Sequence, residues 1–255
     1  MLARIAENVR HRVTQTPRAD WEREINERLA VAPGVPSFRH SIEQDSERFI
    51  FEIKRQSPSD RSPIEVDVVE TAMLYEECGA AAISVLTEPE YFGGGLRDLE
   101  IARQTVSVPL LRKDFVVDRL QVAEARAWGG SAVLLIVAIL DDTDLQEFIE
   151  CAASLSLEAL VEVHTRIELA RALDAGATTI GVNSRDLHTM TIDLGVAARL
   201  IEQIPDHCLR IAESGIKSRA DVEMFRDSGA DAFLIGSSVM RAPDRRGMIM
   251  ELKGR

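Results

Sequence analysis

The sequence predicts an α/β fold, a (β/α)8 TIM barrel preceded by a helical segment, on three observations. Eight strand-like apolar segments alternate with helical patterns between residues 49 and 235, and continuous apolar runs are typical of parallel strands covered by helices. The length of 255 residues suits eight such units. Glycines that follow helical segments recur about every fifty residues, the spacing of two βα units. These glycines are Gly79, Gly130, Gly176 and Gly229.

The segment before the barrel has apolar residues every three to four positions, which indicates a helix over residues 1 to about 30. The run Pro33-Gly34-Val35-Pro36 breaks this pattern. We therefore expect one domain over residues 1–255, in which 1–45 form an N-terminal helical extension and 46–255 form the barrel. The apolar positions are Leu2, Ile5, Val9 and Val13.

The strands are predicted from apolar segments that are bounded by turn residues. Helices between them begin at two capping boxes, Thr165 to Glu168 and Ser218 to Asp221. The alternative arrangement is an open doubly wound sheet, but no G-x-G-x-x-G motif follows the first strand. The predicted strands lie near residues 49–54, 81–86, 108–112, 131–137, 158–163, 178–182, 209–212 and 231–235.

Composition limits the ligands that the chain can bind. With 30 basic and 42 acidic residues the net charge is -12, which argues against a general nucleic-acid surface because phosphate neutralisation needs a clustered basic face. The three cysteines and five histidines have no metal-ligand spacing, so we expect no metal site. No apolar run reaches the length of a membrane span and no signal segment is recognisable, so we expect a cytoplasmic protein.

Polar residues stand where the predicted strands end, which is where barrel enzymes carry their catalytic groups. On the first strand, Glu52 and Lys54 are two positions apart and therefore point to the same face. Buried charges are costly unless they are paired or used. A solvated ion pair on an edge strand is the alternative for these two residues alone. Later strands also end in polar residues: Ser84, Lys113, Glu162, Asn183, Arg185 and Glu213.

Two chemistries follow from these residue types. Ser214-Gly215 after the seventh strand and Gly236-Ser237 after the eighth fit a phosphate site, because glycine lets backbone N–H groups approach an anion. Glycine in a tight turn is the alternative explanation.

Lys113 and Glu162 can face each other across the barrel mouth as acid and base. For a lysine among other cations we expect a lowered pKa, and for a glutamate in the same setting a raised pKa.

Eight motifs, in order and at consistent spacing, resemble the indole-3-glycerol phosphate synthase family of tryptophan biosynthesis over residues 47 to 241 or so. They are Glu52-Ile-Lys54 with Ser57-Pro58-Ser59, Ile83-Ser84-Val85-Leu86-Thr87, Leu111-Arg-Lys113-Asp-Phe115, Leu134-Leu-Ile136, Val161-Glu162-Val163, Gly181-Val-Asn183-Ser-Arg185-Asp-Leu187, Ala212-Glu213-Ser214-Gly215-Ile216 and Ile235-Gly236-Ser237.

The resemblance implies a ring closure without cofactor or metal. The substrate would be 1-(2-carboxyphenylamino)-1-deoxyribulose 5-phosphate, and the products indole-3-glycerol phosphate, carbon dioxide and water. The expected partner is this small phosphorylated molecule, with no nucleic acid and no membrane, and the chain is expected to be a monomer or a weak homodimer.

Residue roles follow from the same resemblance. Lys113 matches the general acid, Glu162 the general base, and Lys54 the lysine that holds the anthranilate carboxylate. Arg185 also matches a residue near that carboxylate. Glu52, Asn183 and Glu213 match orienting residues. Ser57 lies in the matched Ser-Pro-Ser motif and is expected to bind substrate. The residues that match the phosphate site are Ser214, Gly215, Gly236 and Ser237. Those that match the pocket for the aromatic ring are Ser84, Leu86, Phe92, Phe115, Leu134 and Leu187.

The sequence departs from the family at Asp60-Arg61, where a lysine or glycine is common after Ser-Pro-Ser. The resemblance implies that this loop covers the substrate, so the departure bears on closure and turnover more than on reaction type. Two alternatives share the fold: a related phosphosugar isomerase, which lacks the set of two lysines and two glutamates, and a non-catalytic barrel that binds a phosphosugar.

Overall fold

The computed structural model describes residues 1–44, 48–58, 62–186 and 190–255. Among them, eight parallel strands pair in chain order, and the last pairs with the first to close the barrel. The predicted (β/α)8 fold is therefore confirmed. The strands are β1 Phe49–Ile53, β2 Ala82–Leu86, β3 Leu110–Lys113, β4 Ala132–Ile136, β5 Glu158–Val163, β6 Thr179–Asn183, β7 Leu209–Glu213 and β8 Ala232–Ile235.

Helices precede the barrel and surround it. Ser218 and Asp221 form the predicted capping box. At Thr165 only half of the box forms, because the Glu168 carboxylate accepts from the backbone N–H of His164 instead. The helices are α1 Leu2–Gln15, α2 Arg18–Val31, α3 Phe38–Gln44, α4 Val68–Glu77, α5 Leu96–Thr105, α6 Arg119–Ala127, α7 Asp142–Ser154, α8 Arg166–Asp174, α9 Leu194–Ile201, α10 Arg219–Asp227, α11 Ser237–Met240 and α12 Arg245–Lys253.

The N-terminal extension differs from the single helix expected over residues 1 to about 30. It divides into α1 and α2 at Pro17, and α3 follows the predicted break. Proline disfavours helical dihedrals in the residue before it, and Thr16 is accordingly extended, with φ -79° and ψ 123°. The apolar stripe of α1 was predicted correctly, since Leu2, Ile5 and Val9 are buried.

Helix α2 is fixed to the barrel wall through α6. The Trp21 indole N–H donates to Glu124 at 2.7 Å, and the Arg28 guanidinium lies 4.1 Å from the centroid of the Trp128 ring. Glu124 also pairs with the buried Arg112 of β3 at 2.7 Å. This path of charged contacts joins the extension to a barrel strand.

Side chains alternate along β1 as the sequence predicts. Phe51 faces outward, where its ring lies 5.3 Å from that of Tyr75 on α4. Glu52 faces inward and contacts Lys54, which directly follows the strand. The apolar outward face thus holds the helices, and the inward face carries charge to the barrel mouth.

No helix in the described part of the chain is long and apolar enough to cross a membrane. Nor do the residues in these ranges include a group of three or more His, Cys, Asp or Glu side chains placed to hold a metal ion.

Candidate active site

A cavity of about 460 Å³ opens at the carboxyl ends of the strands. Among the residues predicted for the site, all that the structure describes except Ser84 line it. They are Glu52, Lys54, Ser57, Leu86, Phe92, Lys113, Phe115, Leu134, Glu162, Asn183, Arg185, Glu213, Ser214, Gly215, Gly236 and Ser237.

Lys113 lies at the centre of the charged cluster. Its ammonium nitrogen is 3.0 Å from Glu162 Oε2 and 2.9 Å from Glu213 Oε2, so carboxylates from β5 and β7 hold a lysine from β3. Burial opposes the charge on this lysine, but the charges of Glu162, Glu213 and Glu52 outweigh burial and raise the pKa of Lys113. The predicted lowering of this pKa was wrong, because its nearest charged neighbours are carboxylates and not cations.

The two carboxylates that share Lys113 titrate differently. Burial favours the neutral form of Glu162, but Lys113, His164 and a hydrogen bond from Asn183 outweigh it and lower its pKa. The predicted rise was therefore wrong for Glu162. Glu213 is the carboxylate whose pKa rises, to about 7, because burial and the charge of Glu162 exceed the effect of Lys113. Glu213 Oε1 also has no hydrogen-bond partner among the described residues.

Glycine makes room for the carboxylates. A Cβ atom on Gly181 of β6 would overlap Glu213 Oε1. A Cβ atom on Gly236 would overlap Glu52 Oε1 and lie 2.8 Å from Lys54 Nζ, the two groups that form an ion pair of 2.6 Å. Gly236 therefore has a packing function in addition to its predicted place in the phosphate site.

Asn183 links the general-base candidate to the loop after β6. Its side-chain oxygen accepts from the backbone N–H of Arg185 at 3.0 Å, and its side chain helps to lower the pKa of Glu162. Burial lowers the pKa of Arg185. The side chain of Arg185 donates to the Met190 carbonyl at 3.3 Å, which holds the guanidinium at the cavity edge.

The loops after β7 and β8 form a concave backbone surface that we name the glycine cradle: Ser214, Gly215, Gly236 and Ser237. Ser214 and Gly215 have positive φ angles of 67° and 81°. Such a conformation is strained for serine and is concentrated at functional sites. Ser238 Oγ donates to the Ile216 carbonyl at 2.9 Å and joins the two loops.

Apolar side chains line the side of the cavity formed by β2, β3, β4 and their loops. The rings of Phe92 and Phe115 are 6.0 Å apart, and Leu86 and Leu134 are buried beside the cavity. A flat aromatic ligand fits such a surface, since pockets combine apolar burial with a few polar groups.

One predicted residue within the described ranges, Ser84, is not among those that line the cavity. Ser84 pairs with Glu52 in the barrel register, yet its hydroxyl is fully buried and has no hydrogen-bond partner among the described residues. Both residues occupy the same layer, and only the longer glutamate side chain reaches the mouth. Leu187 lies outside the described residues, as does the Asp60-Arg61 departure.

Sequence reasoning missed several residues of the cavity. Leu2 and Ile5 of α1 line it, and so do Lys217 and Arg241 beside the glycine cradle. The apolar period of α1 predicted its buried face but not the site that this face covers. Sequence reasoning also missed His164, which directly follows β5 and does not line this cavity: its Nε2 atom lies 3.6 Å from Glu162 Oε1, a contact that the spacing of two residues from Glu162 could have indicated.

The fold and its cavity define a barrel enzyme of the class that carries its chemistry at the carboxyl ends of the strands. Residues 2–252 match the family model described as indole-3-glycerol phosphate synthase, and the chain belongs to that family. The activity predicted from the sequence, synthesis of indole-3-glycerol phosphate in tryptophan biosynthesis, is thereby confirmed.

Individual relatives agree with the family match. The indole-3-glycerol phosphate synthase of Kineococcus radiotolerans is 50% identical over 82% of this chain and 77% of its own length. That of Lactiplantibacillus plantarum is 41% identical over 99% of this chain and 98% of its own length. A solved structure of 3-hexulose-6-phosphate synthase from Salmonella typhimurium has a TM-score of 0.65 at 14% identity, covering 81% of this chain and 97% of that chain. This last likeness concerns the fold alone.

Proposed function

We propose that this chain closes the indole ring by acid–base catalysis at Lys113 and Glu162. It would convert 1-(2-carboxyphenylamino)-1-deoxyribulose 5-phosphate to indole-3-glycerol phosphate, carbon dioxide and water, as a carbon–carbon lyase of the carboxy-lyase type. The observation that carries the proposal is the Lys113 ammonium group, held by Glu162 and Glu213 in the cavity that also contains the glycine cradle.

Substrate binding divides among three parts of the cavity. The glycine cradle receives the phosphate on its backbone N–H groups. Lys54 and Arg185 receive the carboxylate, and the apolar wall receives the aromatic ring. Burial of that ring contributes about 25 cal/mol for each Å² of apolar surface removed from water.

Lys113 starts the chemistry by donating a proton to the ketone oxygen while the aromatic ring attacks the ketone carbon. Its raised pKa supports the cationic form that a general acid needs. When substrate enters between Lys113 and its carboxylate partners, their mutual attraction weakens, and the lysine becomes a stronger acid. The same separation makes Glu162 a stronger base.

Glu162 accepts a proton during dehydration, and its lowered pKa supports the ionised form that a base needs. Asn183 orients the carboxylate through its hydrogen bond. Glu52 and Glu213 orient Lys54 and Lys113, respectively, through the ion pairs at 2.6 and 2.9 Å. A biosynthetic role of this kind supports a cytoplasmic location, and we propose a monomer or a weak homodimer.

The test is incubation with the carboxyphenylamino-ribulose phosphate, with indole fluorescence and released carbon dioxide measured together. We expect equal amounts of both products. An isomerase would change the sugar and leave the carboxylate in place, and a non-catalytic barrel would bind the substrate without consuming it. Either of these results contradicts the proposal.

A further inference from the structure

The proposed reaction takes up one proton from solvent in each turnover, and this inference rests on the proposed function. The ketone oxygen leaves as water and therefore gains two protons. The substrate supplies one of them, from the methylene carbon that enters the indole ring. The second proton cannot come from the substrate, because its carboxyl group is ionised and leaves as neutral carbon dioxide. The enzyme must therefore take this proton from solvent.

Glu162 returns only the first of these protons. Its Oε2 atom contacts Lys113 Nζ at 3.0 Å, so the proton that it takes from the substrate can pass back to the lysine. The second proton needs another donor next to this pair. Because the substrate fills the cavity over Lys113, that donor should lie behind Glu162 and not on the substrate side.

His164 occupies this position. Its Nε2 atom lies 3.6 Å from Glu162 Oε1, the oxygen that Lys113 does not hold. Nε2 is shielded from solvent and has no hydrogen-bond partner among the described residues. The other ring nitrogen, Nδ1, lies 3.2 Å from Glu168 Oε2. Glu168 thereby fixes the ring and directs Nε2 at the candidate base.

A second cavity of about 420 Å³ lies on the far side of this histidine. His164, Thr165, Glu168 and Asn183 line it. His164 thus lines the second cavity and contacts Glu162, which lines the substrate cavity. Solvent in the second cavity can restore a proton without crossing the bound substrate.

We propose that His164, positioned by Glu168, supplies the solvent proton to the Glu162–Lys113 pair from the second cavity. In this step the Nε2–H bond of the imidazolium breaks as an O–H bond forms on Glu162. His164 is left as the neutral tautomer with its proton on Nδ1, which Glu168 holds. A turn of the imidazole ring then brings Nε2 to the second cavity, where solvent protonates it again, so the histidine is unchanged after each turnover.

The charges around His164 favour the protonated ring. Burial opposes that charge, but the hydrogen bond to Glu168 and the charges of Glu162, Glu168 and Glu213 outweigh it and raise its pKa. Asp186 and Asp193 from the loop before α9 line the same second cavity and add negative charge. A raised pKa increases the fraction of the ring that carries the proton at a given pH.

The test compares His164→Asn with Glu168→Gln, and uses the exposed His207→Asn as a matched control. We expect His164→Asn to lower kcat roughly tenfold, below the 10²–10⁴-fold of a direct acid or base, with KM within about twofold of the wild type. Added imidazole should restore part of kcat, and the solvent isotope effect on kcat should increase because proton supply becomes limiting. The control should match the wild type.

The pH dependence separates this role from a structural one. In the wild type kcat should fall as pH rises through the pKa of His164, and His164→Asn should lose this limb. Glu168→Gln keeps an acceptor for the His164 N–H but removes a charge that raises the pKa of His164. In this variant the fall of kcat should therefore occur at lower pH.

Three results overturn the proposal: wild-type kcat in His164→Asn, an unchanged pH limb in both variants, or a lower kcat without imidazole rescue and without a change in isotope effect. If the wild type itself forms no indole, the proposed function fails instead.

Discussion

The substitution Gly181→Ala tests whether the Glu213 carboxylate must lie against β6 in order to hold Lys113. An added Cβ atom would overlap Glu213 Oε1 and lie 3.1 Å from Leu160 Cδ1. The buried leucine cannot move far, so the carboxylate must move by about 1 Å or more, and such a displacement near the chemistry costs on the order of 100-fold in rate. Loss of the charge-assisted hydrogen bond from Lys113 to Glu213, about 1.5–3 kcal/mol, corresponds to a similar loss of rate.

The assay is kcat from the appearance of indole fluorescence, together with a thermal unfolding curve. The matched control is Gly34→Ala, where an added Cβ atom meets nothing within 4 Å and φ is not positive. We expect the control to keep wild-type turnover and Gly181→Ala to lose about 100-fold while remaining folded. If folded Gly181→Ala turns over within twofold of the wild type, the close approach of Glu213 to β6 is irrelevant to catalysis.

Three further predictions concern other charged residues. Arg112→Leu leaves Asp114 and Glu124 without their buried counter-charge, so the free energy of unfolding measured in urea should fall by about 3–5 kcal/mol; an unchanged midpoint would contradict this. Because the pKa of Glu213 is raised to about 7, this carboxyl group is neutral below that pH and holds Lys113 less well; kcat/KM should therefore rise with pH through about 7, and Glu213→Gln should lack that rise. Lys54→Met should lower kcat/KM about 10- to 100-fold through loss of one charge-assisted contact, yet bind a substrate analogue without the carboxylate as tightly as the wild type; a weaker affinity for that analogue would show that Lys54 acts elsewhere.

The periodicity of the sequence predicted which side chains meet. Spacing of two residues placed Glu52 and Lys54 on one face, and the structure has them 2.6 Å apart. Strand order then brought Lys113 and Glu162 to the same mouth. Both results depend on the alternation of a strand and the closure of the ring, which the sequence pattern carries directly.

The signs of the pKa shifts could not be read in the same way. Counting charges along the sequence does not say which one lies nearest to Lys113, and the answer depends on side-chain positions within a few Å. The reach of each side chain was equally unpredictable: Ser84 is on the correct face and in the same layer as Glu52, but its short side chain does not reach the cavity. His164 was considered only as a metal ligand, although it directly follows β5 and lies two residues after Glu162.

The N-terminal extension shows a different limit. Its apolar stripe predicted a helix, but Pro17 had to be noticed in order to divide it. That Leu2 and Ile5 cover the cavity depends on tertiary contacts with the loops of the barrel. A local pattern gives the buried face of a helix and not the element against which it packs.

The central claim is that Lys113 is the proton donor for ring closure, and Lys113→Ala tests it most directly. Turnover of the carboxyphenylamino-ribulose phosphate and affinity for indole-3-glycerol phosphate should be measured on the same folded preparation. We predict that turnover falls by about 10²–10⁴-fold while the affinity for product changes only severalfold, since the glycine cradle and the apolar wall remain. Wild-type turnover in Lys113→Ala would contradict the assignment.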